Sequence, residues 1–121
     1  GPEAAFLKYM TAIKENRLAD ALPLLAGEEA ANFFAVSFRY AKSGADLSSA
    51  KNWNAAITGQ EELLKRLPFW RERVFNLKTT GALVVGRNAR VFFTYQSVGT
   101  PSPAVQDMVF EDGQWRVAYR R

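Results

Sequence analysis

The sequence predicts an α+β domain, with helices first and an antiparallel sheet after them. Apolar residues recur at helical spacing through the first third of the chain. After Pro68 the apolar period falls to two, and near the end Asp112-Gly113 joins two alternating runs as a tight hairpin.

The elements follow in order. Pro2 to about Asn16 reads as a helix, with Pro2 and Glu3 in its first turn and Phe6, Met10 and Ile13 on one stripe that Ala5, Tyr9 and Ala12 widen. Arg17 to Leu25 reads as a shorter helix, with Leu18, Ala21, Leu22 and Leu25 on one face and Gly27 as its stop. A third is expected from Glu28 to about Lys42; two acids suit its positive end, and Ala30, Phe33, Phe34, Tyr40 and Ala41 are its apolar positions. Residues 44–58 are polar apart from Trp53 and Ile57 and read as a loop with room for a short strand. Thr58-Gly59-Gln60-Glu61 has capping-box spacing, with Thr58 as N-cap of a helix that carries Leu63, Leu64 and Leu67 and ends at Pro68.

From Arg71 to Val85 the pattern is that of a strand, with Gly81 marking a bend or bulge. Gly86-Arg87-Asn88 is a turn, and Ala89–Val98 is a second long strand with Val91, Phe93 and Tyr95 on one face. Gly99–Pro103 is expected to be a loop, because two prolines do not fit a central strand. Ala104–Glu111 and Gln114–Arg120 form the closing hairpin. A two-residue turn then sets Phe110 opposite Trp115, Met108 opposite Val117 and Gln106 opposite Tyr119. Val105, Asp107 and Val109 fall on the other face, where Asp107 is expected to lie diagonal to Arg116 and Arg120 and to pair with them weakly.

Composition narrows the chemistry. The 121 residues are 48% apolar and 23% charged, which suits one globular domain. No apolar run approaches the roughly 18 residues of a membrane helix. The chain has neither cysteine nor histidine, so thiolate chemistry, disulfides and the commonest general base and metal ligand are excluded. No cofactor is expected. The net charge is +4, and ten of the sixteen basic residues are arginine. Lys65, Arg66, Arg71 and Arg73 form one basic group and Arg116, Arg120 and Arg121 another. Neither is a dense basic stripe interleaved with aromatics, so nucleic acid is a poor partner, and an anion-binding or inhibitory role is the lesser reading of the charge. Gly1-Pro2 reads as the scar of a cleaved expression tag, leaving one domain over residues 3–121. A trimmed leader or anchor, and with it a periplasmic or otherwise extracytoplasmic bacterial protein, is the expectation that follows.

Three separated segments carry a resemblance. Ala4-Ala5-Phe6-Leu7-Lys8-Tyr9 through Ala19-Asp20-Ala21-Leu22-Pro23-Leu24-Leu25 resembles an opening helix and a short helix ending in a leucine pair. Ile57-Thr58-Gly59-Gln60-Glu61-Glu62-Leu63-Leu64 is similar to a glycine-led helix ahead of a sheet, and Val109-Phe110-Glu111-Asp112-Gly113-Gln114-Trp115-Arg116-Val117 to a closing hairpin whose tryptophan tucks under the helices. Together they resemble the nuclear transport factor two-like superfamily, which includes SnoaL-like cyclases and ketosteroid isomerases. The resemblance implies a cone-shaped roll with N-terminal helices packed on a curved antiparallel sheet and a pocket at the open end. It implies little about function, because the fold carries both enzymes and non-catalytic accessory domains.

Within such a roll, Phe34, Phe38, Tyr40, Trp53, Trp70, Phe93, Tyr95 and Trp115 are the aromatic candidates for lining a pocket. A core role competes for each of them, most strongly for Trp115. Trp53 and Trp70, near loops and helix ends, are the better ligand or interface residues. Catalysis without histidine needs a carboxylate base and a phenol donor, for which Asp107 and Tyr9 are the nearest candidates. Phe33 and Phe34 occupy the stretch where the resembling isomerases carry their base. The acidic residues are too scattered for a metal site, and Gly81, Gly86 and Gly99 lack the context of a phosphate loop. The expected function is therefore a binding or accessory domain for a protein or a small apolar ligand. A small-molecule isomerase, dehydratase or cyclase is the alternative. The family also implies a homodimer through the sheet face, with Val105 and Val109 beside Phe92 or Val98.

Overall fold

The computed structural model describes residues 1–27, 35–45, 53–67, 76–96 and 99–118. Its helices precede a four-stranded antiparallel sheet, as an α+β class requires.

Helix α1 spans Pro2–Lys14 and buries Phe6, Tyr9, Met10, Ala12 and Ile13, the stripe that the 3.6-residue period sets on one side. Glu3 lies in its positive first turn and Lys14 in its negative last turn. The helix stops where Asn16 turns left-handed at φ 59°. There the Arg17 N–H donates back to the Ala12 carbonyl at 2.8 Å and the Asn16 N–H to Ile13 at 3.1 Å, a Schellman closure with asparagine in the usual glycine position. Arg17 donates to Asp20 at 2.6 Å and to Glu15 at 2.7 Å. Asp20 first and Glu15 second raise its already high pKa, so Arg17 stays charged at any ordinary pH.

The next segment is shorter than its sequence pattern. Helix α2 covers Leu18–Ala21 and tightens into a 3₁₀ turn at Leu22–Leu24, where Pro23 removes an N–H. Leu25 is already extended and bridges in parallel to Val117, and the Ala26 N–H donates to the Val117 carbonyl at 2.8 Å. A long-range strand contact, and not Gly27, therefore ends this element.

The expected third helix falls partly outside the described residues. Its visible end tightens into a 3₁₀ turn at Phe38–Tyr40, and Ala41, one residue before the expected boundary, pairs with Ile57. The expected loop over 44–58 also differs, because Trp53–Ala56 is a helical turn, α3. Helix α4 spans Gln60–Leu64 with Gly59, not Thr58, at the N-cap and with no side-chain cap. The Thr58 hydroxyl instead donates to the Tyr40 carbonyl at 2.8 Å, beside the Thr58 N–H at 2.7 Å. Pairing with the 40–42 segment takes the group that a capping box would have used.

Strands β1 (Lys78–Val85), β2 (Asn88–Tyr95), β3 (Ser102–Glu111) and β4 (Gln114–Val117) lie side by side in sequence order. The register slips between Thr79 and Gly81, so Gly81 does mark a bulge. β3 begins earlier than expected, with Pro103 opposite Thr94 near its start. The Asp112-Gly113 turn has both residues at positive φ, 51° and 79°, the type I′ geometry whose twist matches the strands. It sets Met108 opposite Val117 and Phe110 opposite Trp115.

Strand alternation separates the two faces. Ala89, Val91, Phe93, Gln106, Met108 and Val117 are buried on the inner face, and α1 packs against all four strands. The rings of Phe6 and Phe93 lie 4.7 Å apart at the centre of this core. Gln106 is the buried polar group there, and its Nε2 donates to the carbonyls of Ala118 at 2.7 Å and Asp107 at 2.9 Å.

Candidate functional site

The outer face of the sheet carries the residues left over by that alternation. The register aligns Leu83, Arg90 and Asp107 across β1, β2 and β3, with Gly81, Phe92 and Val105 in a neighbouring row. Leu83, Val85, Phe92 and Val105 are all exposed. Two shallow concavities follow these rows. One, of about 420 Å³, is lined in part by Leu83, Val85, Asn88, Arg90, Asp107 and Ala118. The other, of about 440 Å³, lies over Phe92, Thr94, Pro103 and Val105.

Arg90 Nε stands 3.3 Å from Asp107 Oδ1 in the first of these concavities. Of the two arginines expected from the hairpin, Arg116 does not take this pairing. Arg116 lies opposite Val109 and reaches Asp112 at 3.5 Å, while Arg120 is outside the described residues. Arg90 is the direct cross-strand neighbour of Asp107 on β2.

The catalytic candidates do not share a site. Tyr9 is fully buried among the helices and the inner face. Asp107 projects from the opposite face of the sheet, beside Arg90. Among the described residues no group of three or more acidic side chains could hold a metal ion.

The aromatic candidates are distributed rather than gathered. Phe93 is core, and Tyr95 packs half-buried against it with centroids 6.2 Å apart. Trp115 meets Phe110 edge-on at 5.3 Å and packs against the core, as its core reading requires. Tyr40 is half-buried over Gly59. Phe38 lies in its 3₁₀ turn and Trp53 opens α3, while Phe34, Trp70 and Val98 fall outside the described residues. Of the basic group at 65–73, Lys65 pairs with Glu62 at 3.2 Å and Arg71 and Arg73 lie outside the described residues.

Leu83 and Val85 are the outer-face residues that the sequence reading did not single out. The signal was there: Ala82-Leu83-Val84-Val85 is a continuous apolar run, where a strand covered on one face alternates. No helix of the described chain is long and apolar enough to cross a membrane. In comparison with known protein families, curated proteins and solved structures, the chain matches none.

Proposed function

We propose that this chain is a non-catalytic binding or accessory domain of the nuclear transport factor two-like type, a cone-shaped roll that works through its outer sheet face. The observation that carries the reading is the exposed apolar set Leu83, Val85, Phe92 and Val105 around the Arg90–Asp107 pair. Apolar surface of this kind, with a polar centre to fix orientation, suits a protein surface or a small apolar ligand. The order of helices, leucine-ended turn, meander and closing hairpin supports the fold assignment. An isomerase, dehydratase or cyclase would need its base and phenol in one pocket, and here the sheet stands between Asp107 and Tyr9. A second copy of the chain is one protein that the outer face would accept, pairing face to face about a two-fold axis.

Nitrogen-15 amide spectra of the whole chain test this, with 1-anilinonaphthalene-8-sulfonate as the apolar probe and, separately, with rising protein concentration. Shifts confined to the rows of Leu83, Phe92 and Val105 are expected, and Phe92→Glu should remove them without unfolding the domain. Shifts at α1 and the inner face, or none with about millimolar probe, would defeat the proposal.

A further inference from the structure

The two edges of the sheet are treated differently. At β4 the outer edge is covered by Leu25 and Ala26, which pair with Val117. At β1, among the described residues, no strand pairs on the side away from β2. Leu83, Val84 and Val85 are 57%, 50% and 67% exposed, the first and last on the outer face and Val84 on the inner. Natural edges are guarded by charge, proline or a bulge. Here the bulge lies upstream at Thr79/Gly81, and Gly81–Val85 contains neither charge nor proline.

The hairpin decides which backbone groups face outward. Val85 and Asn88 close the two-residue Gly86-Arg87 turn, so Val85 and, two residues back, Leu83 direct their N–H and C=O to β2. Ala82 and Val84 direct theirs to the open edge.

We infer that this edge pairs with the same edge of a second copy, antiparallel, with the two-fold axis at Leu83. That register sets Ala82 against Val84 of the second copy, and Val84 against its Ala82, so each outward-facing residue meets one with outward-facing groups of its own. It also matches size. Gly81 has nothing within 4 Å of where a Cβ would stand, and Val85 of the second copy falls opposite it. Across the inner face the small Ala82 meets the larger Val84. Lys78 comes near Arg87 of the second copy at each end, and residues 78–87 contain no acid. These like charges weaken the pair at low salt and are screened at high salt. One edge strand falls short of the roughly 1,200–2,000 Å² of a stable interface, so dissociation constants of roughly tens to hundreds of micromolar follow. The outer face stays open in such a pair and doubles in extent.

The test uses single cysteines, for which the chain's lack of native cysteine is convenient. Residues facing each other in a non-hydrogen-bonded antiparallel pair have Cα atoms about 4.5 Å apart, within disulfide range. Leu83→Cys should therefore oxidise to a covalent dimer at least about 10-fold faster than Val85→Cys, whose two copies stand about 13 Å apart along the strands. Val105→Cys should also stay reduced, because in an edge pair five strand spacings, about 24 Å, separate β3 from its copy. The wild type should sediment with a mass that rises with concentration, more so at about 0.5 M salt than at 0.05 M, and Leu83→Lys, folded by circular dichroism, should remain a monomer. Equal oxidation at 83 and 85, or a wild type monomeric up to about 1 mM, would overturn the inference. The outer-face proposal is read separately, from the probe shifts at Phe92 and Val105, which an edge pair leaves open.

Discussion

Gly59 lies against the ring of Tyr40, so closely that a Cβ at position 59 would overlap Tyr40 Cδ1 and stand 3.0 Å from Cε1. The contact joins the start of α4 to the 3₁₀ turn at Phe38–Tyr40, which the Thr58 hydrogen bonds to the Tyr40 carbonyl already hold in place. Gly59→Ala should therefore destabilise the domain by about 1–3 kcal/mol through overpacking, measured by urea denaturation. In a double-mutant cycle the cost should fall when Tyr40 is also alanine, because the clash then has no partner. An additive cycle would show that the glycine serves only the N-cap.

What was legible in the sequence was local. Asp112-Gly113 specified a turn, the turn specified the register, and the pairs Met108–Val117 and Phe110–Trp115 followed. Gly81 likewise announced its bulge. What was not legible depends on contacts between distant segments. The β2–β3 register passes through a long connection instead of a two-residue turn, so nothing local showed that Arg90 would stand beside Asp107. Thr58 had the right spacing for a cap, but the 40–42 segment takes its hydroxyl. Of the candidate site, Phe92 and Val105 were read as an exposed patch. Leu83 and Val85 are hidden in the run Ala82-Leu83-Val84-Val85, which is apolar on both faces, so alternation does not say which of its residues the core covers.

A carboxylate at the end of β3 fixes the entry to the segment after α2. Glu111 Oε1 accepts the Gly27 N–H at 2.9 Å, across 84 residues of sequence. Glu111→Ala should cost about 0.5–2 kcal/mol, the range for losing a charged acceptor on an unpaired backbone N–H. Glu111→Gln, which keeps an acceptor and loses the charge, should recover part of it. Denaturation midpoints of the three proteins decide the matter, and equal stability of wild type and Glu111→Ala would show that the bond carries no net energy.

Adjacent phenylalanines on β2 should respond very differently to truncation. Phe93 is 1% exposed and meets Phe6 in the core, while Phe92 is 38% exposed on the outer face. Phe93→Ala should cost about 3–5 kcal/mol and Phe92→Ala less than about 1 kcal/mol. Thermal and urea unfolding would both show the contrast. A large loss at Phe92 would mean that the outer face is covered in solution by another molecule or another copy.

Asp107 offers the sharpest division between a binding face and a hidden catalytic site. Its side chain is 24% exposed and that of its partner Arg90 is 42% exposed, so water and salt screen the pair. Asp107→Asn should change stability by less than about 1 kcal/mol, and that difference should shrink further at high ionic strength. It should leave the core spectrum around Tyr9 unchanged, because the sheet separates the two residues. Since Arg90 then loses its neighbour, Asp107→Asn should alter outer-face binding of an anionic apolar probe in the same direction as added positive charge, towards tighter binding. An unchanged affinity would remove Arg90 and Asp107 from the binding surface, and a loss of several kcal/mol in stability would mean that Asp107 is a buried structural anchor.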